Sequence, residues 1–200
     1  MDDQLVSMTS RDGMIFRERS GQFFFPFYHP SIGEVLKNMY GAAEFSDDMV
    51  YRTRLIRAWQ WSKGRALFIM LNPSTATEKK LDPTIRRCLG FAYQWGMGGV
   101  EIRNLFAVRS TSPAKMKRMR DPVGPAQIVY PDDSFDVIVA AWGNHGRYMG
   151  RGREVEKELF EAGLVVHHLG LTKDGSPKHP LYLAGNTPLD VLRYDRKVKK

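Results

Sequence analysis

One cysteine in 200 residues, Cys88, is too few to close an intrachain disulfide or to build a Cys-rich zinc or iron–sulfur site. That scarcity fits a reducing compartment. No apolar run approaches the roughly 20 residues that a membrane-spanning helix requires. The chain opens Met1-Asp2-Asp3, with neither the basic stretch nor the apolar stretch of a secretory leader, so a cytoplasmic location and no membrane partner are expected. Nucleotide fingerprints are missing too: there is no Gly-x-x-x-x-Gly-Lys-Ser/Thr, no Gly-x-Gly-x-x-Gly after a strand, and no Gly-x-Ser-x-Gly elbow around Ser74. His167 and His168 are adjacent on a predicted strand, so they face opposite ways and cannot jointly hold a metal. Neither a metal nor a cofactor is expected.

Negative charge is the minority. Lys and Arg number 30 against 22 Asp and Glu, a net charge of +8, which favours polyanionic partners through phosphate contacts and counterion release but equally describes a solvated basic face. Arg193 to Lys200 carries five of these positive charges and reads as a basic C-terminal tail. With 42% hydrophobic, 12% aromatic and 26% charged residues, the composition is globular and excludes collagen-like, coiled-coil and wholly disordered chains.

Residues 1–45 read as an N-terminal extension. Phe23 to Pro30 sets five aromatics among prolines and predicts an extended or turning segment, followed by a short helix capped by Ser31 and running to Met39. Those aromatics either pack on the main domain or stack on bases. From residue 46 to 192 the pattern is regular: a strand over Tyr51–Trp59, a fully apolar strand over Ala66–Leu71, and a helix from Pro83 with Ile85, Cys88, Leu89 and Ala92 on one face. A strand over Val100–Val108 follows, then a proline-punctuated crossover with short helices near Ala114–Met119 and Pro125–Tyr130. A strand over Val137–Trp142, a helix over Arg153–Gly163 and a strand over Leu164–Leu169 complete the series. Alternating strands and helices predict a three-layer α/β/α domain with a mostly parallel central sheet.

Ligands in such sheets bind beyond the carboxyl ends of the strands, so the residues after each apolar run are the candidates. Asn72, Pro73, Ser74 and Thr75 follow the first long run; Asn104, Phe106 and Arg109 end the next; Trp142, Asn144 and His145 end the third; Lys173, Lys178 and His179 follow the last. Asn72 before proline also suits a simple turn. Asn104 inside an apolar strand must be tied to backbone or offered to a ligand, because an unpaired buried amide costs roughly 1–3 kcal/mol. Arg86 and Arg87 sit side by side on the helix, one for the site and one for solvent, or paired with Asp82 or Glu78. Cys88 on the apolar face is core.

These residues carry a resemblance. From Tyr51 to about Leu189 the chain resembles the bacterial and phage family called domain of unknown function 1643. The shared motifs are Met70-Leu71-Asn72-Pro73-Ser74-Thr75-Ala76, Asp82-Pro83-Thr84-Ile85-Arg86-Arg87-Cys88, Asn104-Leu105-Phe106-Ala107, Pro122-Val123-Gly124-Pro125, Ala140-Ala141-Trp142-Gly143 and Leu169-Gly170-Leu171-Thr172-Lys173. More distantly it is similar to the uracil-DNA glycosylase superfamily. Four segments match that superfamily's motifs in order: Phe68 to Pro73, Val100 to Asn104, Val137 to Gly143 and Lys178 to Leu183.

That second resemblance implies a glycosylase-like fold and a base-processing pocket. In it Asn72 would position water at the anomeric carbon and His179 would stabilise the departing base as the catalytic pair. Asn104, Phe106, Trp142 and Ser74 would contact base or nucleotide, and Arg86, Arg109, Lys173 and Lys178 would contact phosphates. The sequence departs from the superfamily at Ser74, where glycine is usual, and at Leu181, where serine or alanine is common. The partner implied is nucleic acid, DNA in preference to RNA, or a nucleotide; the alternative is a non-catalytic nucleic-acid or nucleotide-binding module of DNA modification or defence. A small-molecule hydrolase acting on nucleosides would need no basic surface.

Overall fold

A computed structural model describes the backbone of residues 6–10, 13–17 and 23–24, and both backbone and side chains of residues 39–126, 128 and 134–194. The expected helix after Ser31, the side chains of the N-terminal aromatics and the tail from residue 195 lie outside the described residues. Near the N-terminus, β1 (Val6–Ser10), β2 (Gly13–Arg17) and β3 (Phe23–Phe24) form an antiparallel sheet in that order.

The second sheet has seven strands. In chain order they are β4 (Tyr40–Phe45), β5 (Arg52–Ala58), β6 (Arg65–Met70), β7 (Gly99–Asn104), β8 (Val137–Ala140), β9 (Val166–His168) and β10 (Asp190–Val191). Their spatial order is β10-β9-β8-β6-β7-β5-β4. The central four, β9-β8-β6-β7, are parallel. The edges are antiparallel on both sides, so the sheet is mixed, which corrects the expectation of a mostly parallel sheet. The apolar runs predicted the parallel strands because both their faces are covered. The edge strands carry short or charged sequences that announce no direction. Tyr40–Phe45, within the segment read as an extension, forms the outermost strand through its pairing with β5.

Helix α1 (Pro83–Gln94) joins β6 to β7. Asp82 caps it by accepting the Ile85 N–H at 2.8 Å, Pro83 supplies its first turn, and Gly96 at φ +73° carries the chain out after it. Its stripe of Ile85, Cys88, Leu89 and Ala92 packs on Ala66, Phe68 and Met70 of β6, Val100 and Ile102 of β7 and Val139 of β8. The alternate residues Leu67, Ile69, Ile138 and Ala140 face the other way, against Val155 and Leu159 of helix α3 (Arg151–Glu161) and Met116 of the one-turn helix α2 (Pro113–Met116). Every residue from Ala66 to Met70 is consequently buried, each large side chain contributing about 1.5–3 kcal/mol of transfer free energy. The second crossover helix, expected near Pro125–Tyr130, falls largely outside the described residues.

Strand β6 leads through α1 to β7 on one side, and the chain then returns past β6 to β8 on the other. That reversal is the kind of point, beyond the carboxyl ends of β6 and β8, at which open α/β sheets hold ligands. Because β5 runs antiparallel to β7, its first residue, Arg52, lies at this same end of the sheet.

Candidate functional site at the strand ends

After β6 the chain turns at Asn72-Pro73. The Asn72 amide donates to the Ser110 carbonyl at 2.8 Å and to the Pro73 carbonyl at 2.9 Å, while Ser110 N–H donates back to Pro73 at 2.8 Å. One amide bond of Asn72 thus closes its own turn and the other ties it to the loop after β7, leaving its Oδ1 as the free function. Ser74 is half-buried beside it.

Asn104 closes β7 on the face shared with Val100 and Ile102, toward α1. It is 4% exposed and its Oδ1 has no hydrogen-bond partner. Of the two alternatives the sequence left open, a tie to backbone through that oxygen is absent.

His179 sits in the segment between β9 and β10, half-buried, with Gly143 after β8 packed against it: a Cβ built on Gly143 would stand 3.5 Å from the His179 Cβ. Its Nδ1 accepts the Leu181 N–H at 3.3 Å. This bond assigns the proton of the neutral ring to Nε2, which becomes a donor. Burial holds the imidazole below its ordinary pKa, against the opposite pull of the Asp82 carboxylate, so the ring is neutral at pH 7. The turn that follows (Pro180–Tyr182) packs on α1, and Arg87 donates to the Leu183 carbonyl there. Arg87 is thus the structural member of its pair, and Arg86 is the exposed one.

Two aromatic candidates go elsewhere. Phe106 is fully buried, its ring tilted against Tyr148 at 5.7 Å, and Trp142 lies in the same cluster, its indole filling the space a side chain on Gly146 or Gly152 would take. Both are buried core residues in this conformation. Strand-end position suggested contact, but the apolar interior on the α3 face claimed the rings. Lys173 and Lys178 are exposed, Lys178 lying along Gly170. The loop they occupy is pinned by the Arg147–Asp174 ion pair at 2.6 Å. His145 is exposed. Arg109 donates to the Met49 carbonyl at 2.8 Å and lies over the Phe45 ring, with its Nε unpartnered.

Sequence reasoning missed the arginines of β5. Arg52 is 2% exposed, donates from Nη1 to the Ala76 carbonyl at 2.9 Å and leaves its Nε without a partner. Arg57, also buried, donates to the carbonyls of Ile56, Thr77 and Lys80. Burial lowers the Arg52 pKa to about 10; Asp82 opposes this, while the Arg109 and Arg57 charges add to it. Asp82, capping α1, is therefore within electrostatic reach of both His179 and the arginine group. Three arginines in six residues of a predicted strand were the available signal. No group of three His, Cys, Asp or Glu side chains among the described residues is placed to hold a metal ion. No helix among them is long and apolar enough to cross a membrane. A shallow hollow between α3 and the β9–β10 edge, lined by Glu156, Phe160 and Tyr194 among others, includes none of the strand-end candidates.

No curated protein and no solved structure matches the chain. One family does, over residues 52–181, a span that begins at Arg52 and ends two residues beyond His179; the chain belongs to the family described as "Protein of unknown function (DUF1643)".

Proposed function

We propose that the protein recognises, and as an enzyme would excise, a pyrimidine base of nucleic acid, using a three-layer α/β/α, glycosylase-like arrangement with its pocket at the carboxyl ends of β6 to β9. The observation that carries this reading is the buried Asn104 Oδ1, an acceptor left unpaired at a strand end where about 1–3 kcal/mol would otherwise be lost. A base edge offering an N–H satisfies it. Three further features support the reading. His179 is neutral and offers Nε2–H, the form that donates to a base departing as an anion. Asn72 keeps Oδ1 free to orient a water while its amide is fixed. The net charge of +8 favours a phosphate-bearing partner.

In the proposed chemistry, the bond from sugar to base breaks with the electron pair leaving on the base. The developing anion accepts a hydrogen bond from His179, and water oriented by Asn72 adds to the sugar carbon, its proton passing through solvent to the released base. The base is read by Asn104, after being taken out of its stack.

The test is alkali-dependent strand cleavage of single- and double-stranded oligonucleotides carrying uracil, mismatched thymine or modified pyrimidines. Cleavage by the native chain, lost in folded Asn72→Ala and His179→Ala variants, supports excision. Oligonucleotide binding without cleavage, weakened by His179→Ala, would replace it with a non-catalytic base reader. The absence of both binding and cleavage would contradict the proposal.

A further inference from the structure

Arg52 is a buried cation with an unpartnered Nε. Its guanidinium carries five N–H groups, yet among the described residues it makes a single hydrogen bond, to the Ala76 carbonyl, and no ion pair, although only 2% of the residue is exposed. Arg87 and Arg109 also have a buried, unpartnered Nε; Arg87 donates to the Leu183 carbonyl and lies over the Phe91 ring, and Arg109 is the one whose charge acts on Arg52. Arg52 and Arg109 are close enough for their charges to repel. They also share a backbone connection, because Arg52 N–H donates to Ala107 and Arg109 N–H to Val50, at 2.9 Å each.

The groups facing them are Arg57, Asp82 and, beside Arg57, Glu78. Asp82 is already occupied in capping α1. Three guanidiniums against two carboxylates leave positive charge uncompensated in this group; Arg57 pairs with Val100 near the start of β7, whereas Arg52 and Arg109 lie past its end, within reach of the Asp82 cap of a twelve-residue helix. Buried charges in proteins are paired or hydrogen-bonded, and a planar guanidinium with free Nε and Nη donors matches two oxygens of one tetrahedral anion.

We infer that Arg52 and Arg109 together form the seat of a phosphate group belonging to the ligand, with Arg52 the anchoring residue. This deepens the base-reading proposal and rests on it for the nucleotide character of the ligand. The phosphate is either that of a free mononucleotide or a strand phosphate beside the base, and the experiment separates the two.

Thermal melting and calorimetric titration of the full chain are run with inorganic phosphate, deoxyuridine monophosphate, deoxyuridine and a uracil-containing single-stranded oligonucleotide. The native chain is stabilised by each phosphate-bearing probe it binds. Arg52→Met binds those probes roughly 10- to 100-fold more weakly yet melts no lower than the native chain without ligand, because it removes an uncompensated buried charge. A structural arginine would give the opposite pair of results. Should Arg52→Met fail to fold, Arg52→Lys, which keeps the charge and loses the fork, serves instead and also binds more weakly.

Response to the mononucleotide identifies a free ligand, and response to the oligonucleotide alone identifies a strand phosphate. Indifference of the native chain to all three phosphate-bearing probes, or undiminished binding by the Arg52 variants, overturns the inference. If phosphate binding persists in Asn104→Leu while deoxyuridine binds neither this variant nor the native chain, the phosphate seat stands and base reading alone has failed.

Discussion

Arg52 and Arg54 leave one strand two residues apart and meet opposite environments. Arg54 reaches Glu101, which also binds Arg103 at 2.6 Å; Glu101 is 1% exposed and Arg103 fully buried, the latter donating to the Ile128 carbonyl as well. Each of these cations has a carboxylate. Arg52 has one carbonyl. The register shift between Glu44 and Phe45, which pairs them with Arg54 and Arg52 and passes over Thr53, lets near neighbours on β5 serve different sides of the sheet. The Arg54–Glu101–Arg103 group closes on itself and holds strands together. The Arg52–Arg57–Arg109 group holds loop carbonyls, and Arg52 and Arg109 keep an unpartnered Nε past the end of β7.

The largest test of this contrast removes the shared carboxylate. Glu101→Ala removes the buried carboxylate that Arg103 and Arg54 share, although Arg54 keeps Glu44, and should lower unfolding free energy by about 3–5 kcal/mol in a denaturant titration. A loss below the scatter of surface substitutions would mean the triad is not the structural one.

Gly41→Ala comes next. Its Cβ would stand 2.1 Å from the Glu78 carbonyl oxygen and 3.2 Å from Arg57 Nη1, displacing the loop that β5 grips. A destabilisation of about 1–3 kcal/mol is expected by chemical denaturation, together with weaker phosphate binding as Ala76 and Arg52 shift. Unchanged stability would show that the grip on the loop is unimportant.

Arg52→Met should raise unliganded stability by about 1 kcal/mol, the reverse of Glu101→Ala. Equal losses from both substitutions would erase the distinction between the two groups.

The smallest effect concerns pH. Burial lowers the pKa of both His168 and His179, with Asp190 and Asp82 respectively opposing it. On acidification the unfolded chain takes these protons first. Their contribution is therefore complete above the ordinary histidine range and is lost as pH falls through it toward the folded-state values. Melting temperatures measured from pH 7.5 to 5, in rough 0.5-unit steps, should decline less steeply in His179→Gln than in the native chain. A steeper decline would reverse the sign.

The central strands were legible in the sequence because burial on both faces writes an unbroken apolar run: Ala66–Leu71 and Val137–Trp142 coincide with β6 and β8 to within two residues. Helix α1 was legible from Asp82, Pro83 and the Ile85–Cys88–Leu89–Ala92 stripe, and Cys88 is core, its thiol pKa pushed up by burial. Strand direction at the edges was not legible, since β4 and β10 are read only through their partners. Asn72, Asn104 and His179 are candidates by their position at or after strand ends. Phe106 and Trp142 are candidates by the same rule, but a ring at a strand end serves interior and ligand equally well in sequence, and both are buried. Arg52 and Arg103 look alike in a sequence; only the placement of Glu101 and Ala76 separates a paired cation from a waiting one.

The account turns on that separation, and side-chain NMR reads it directly. In a titration of isotope-labelled native protein with deoxyuridine monophosphate, the Arg52 Nε–H and Asn104 amide signals should shift together and saturably. Those of Arg54 and Arg103, already paired, should stay in place. Shifts of Arg54 and Arg103 with Arg52 and Asn104 unmoved, or no shifts at all with this ligand and with the oligonucleotide, would contradict the claim that the unpaired polar groups at the strand ends are a ligand site.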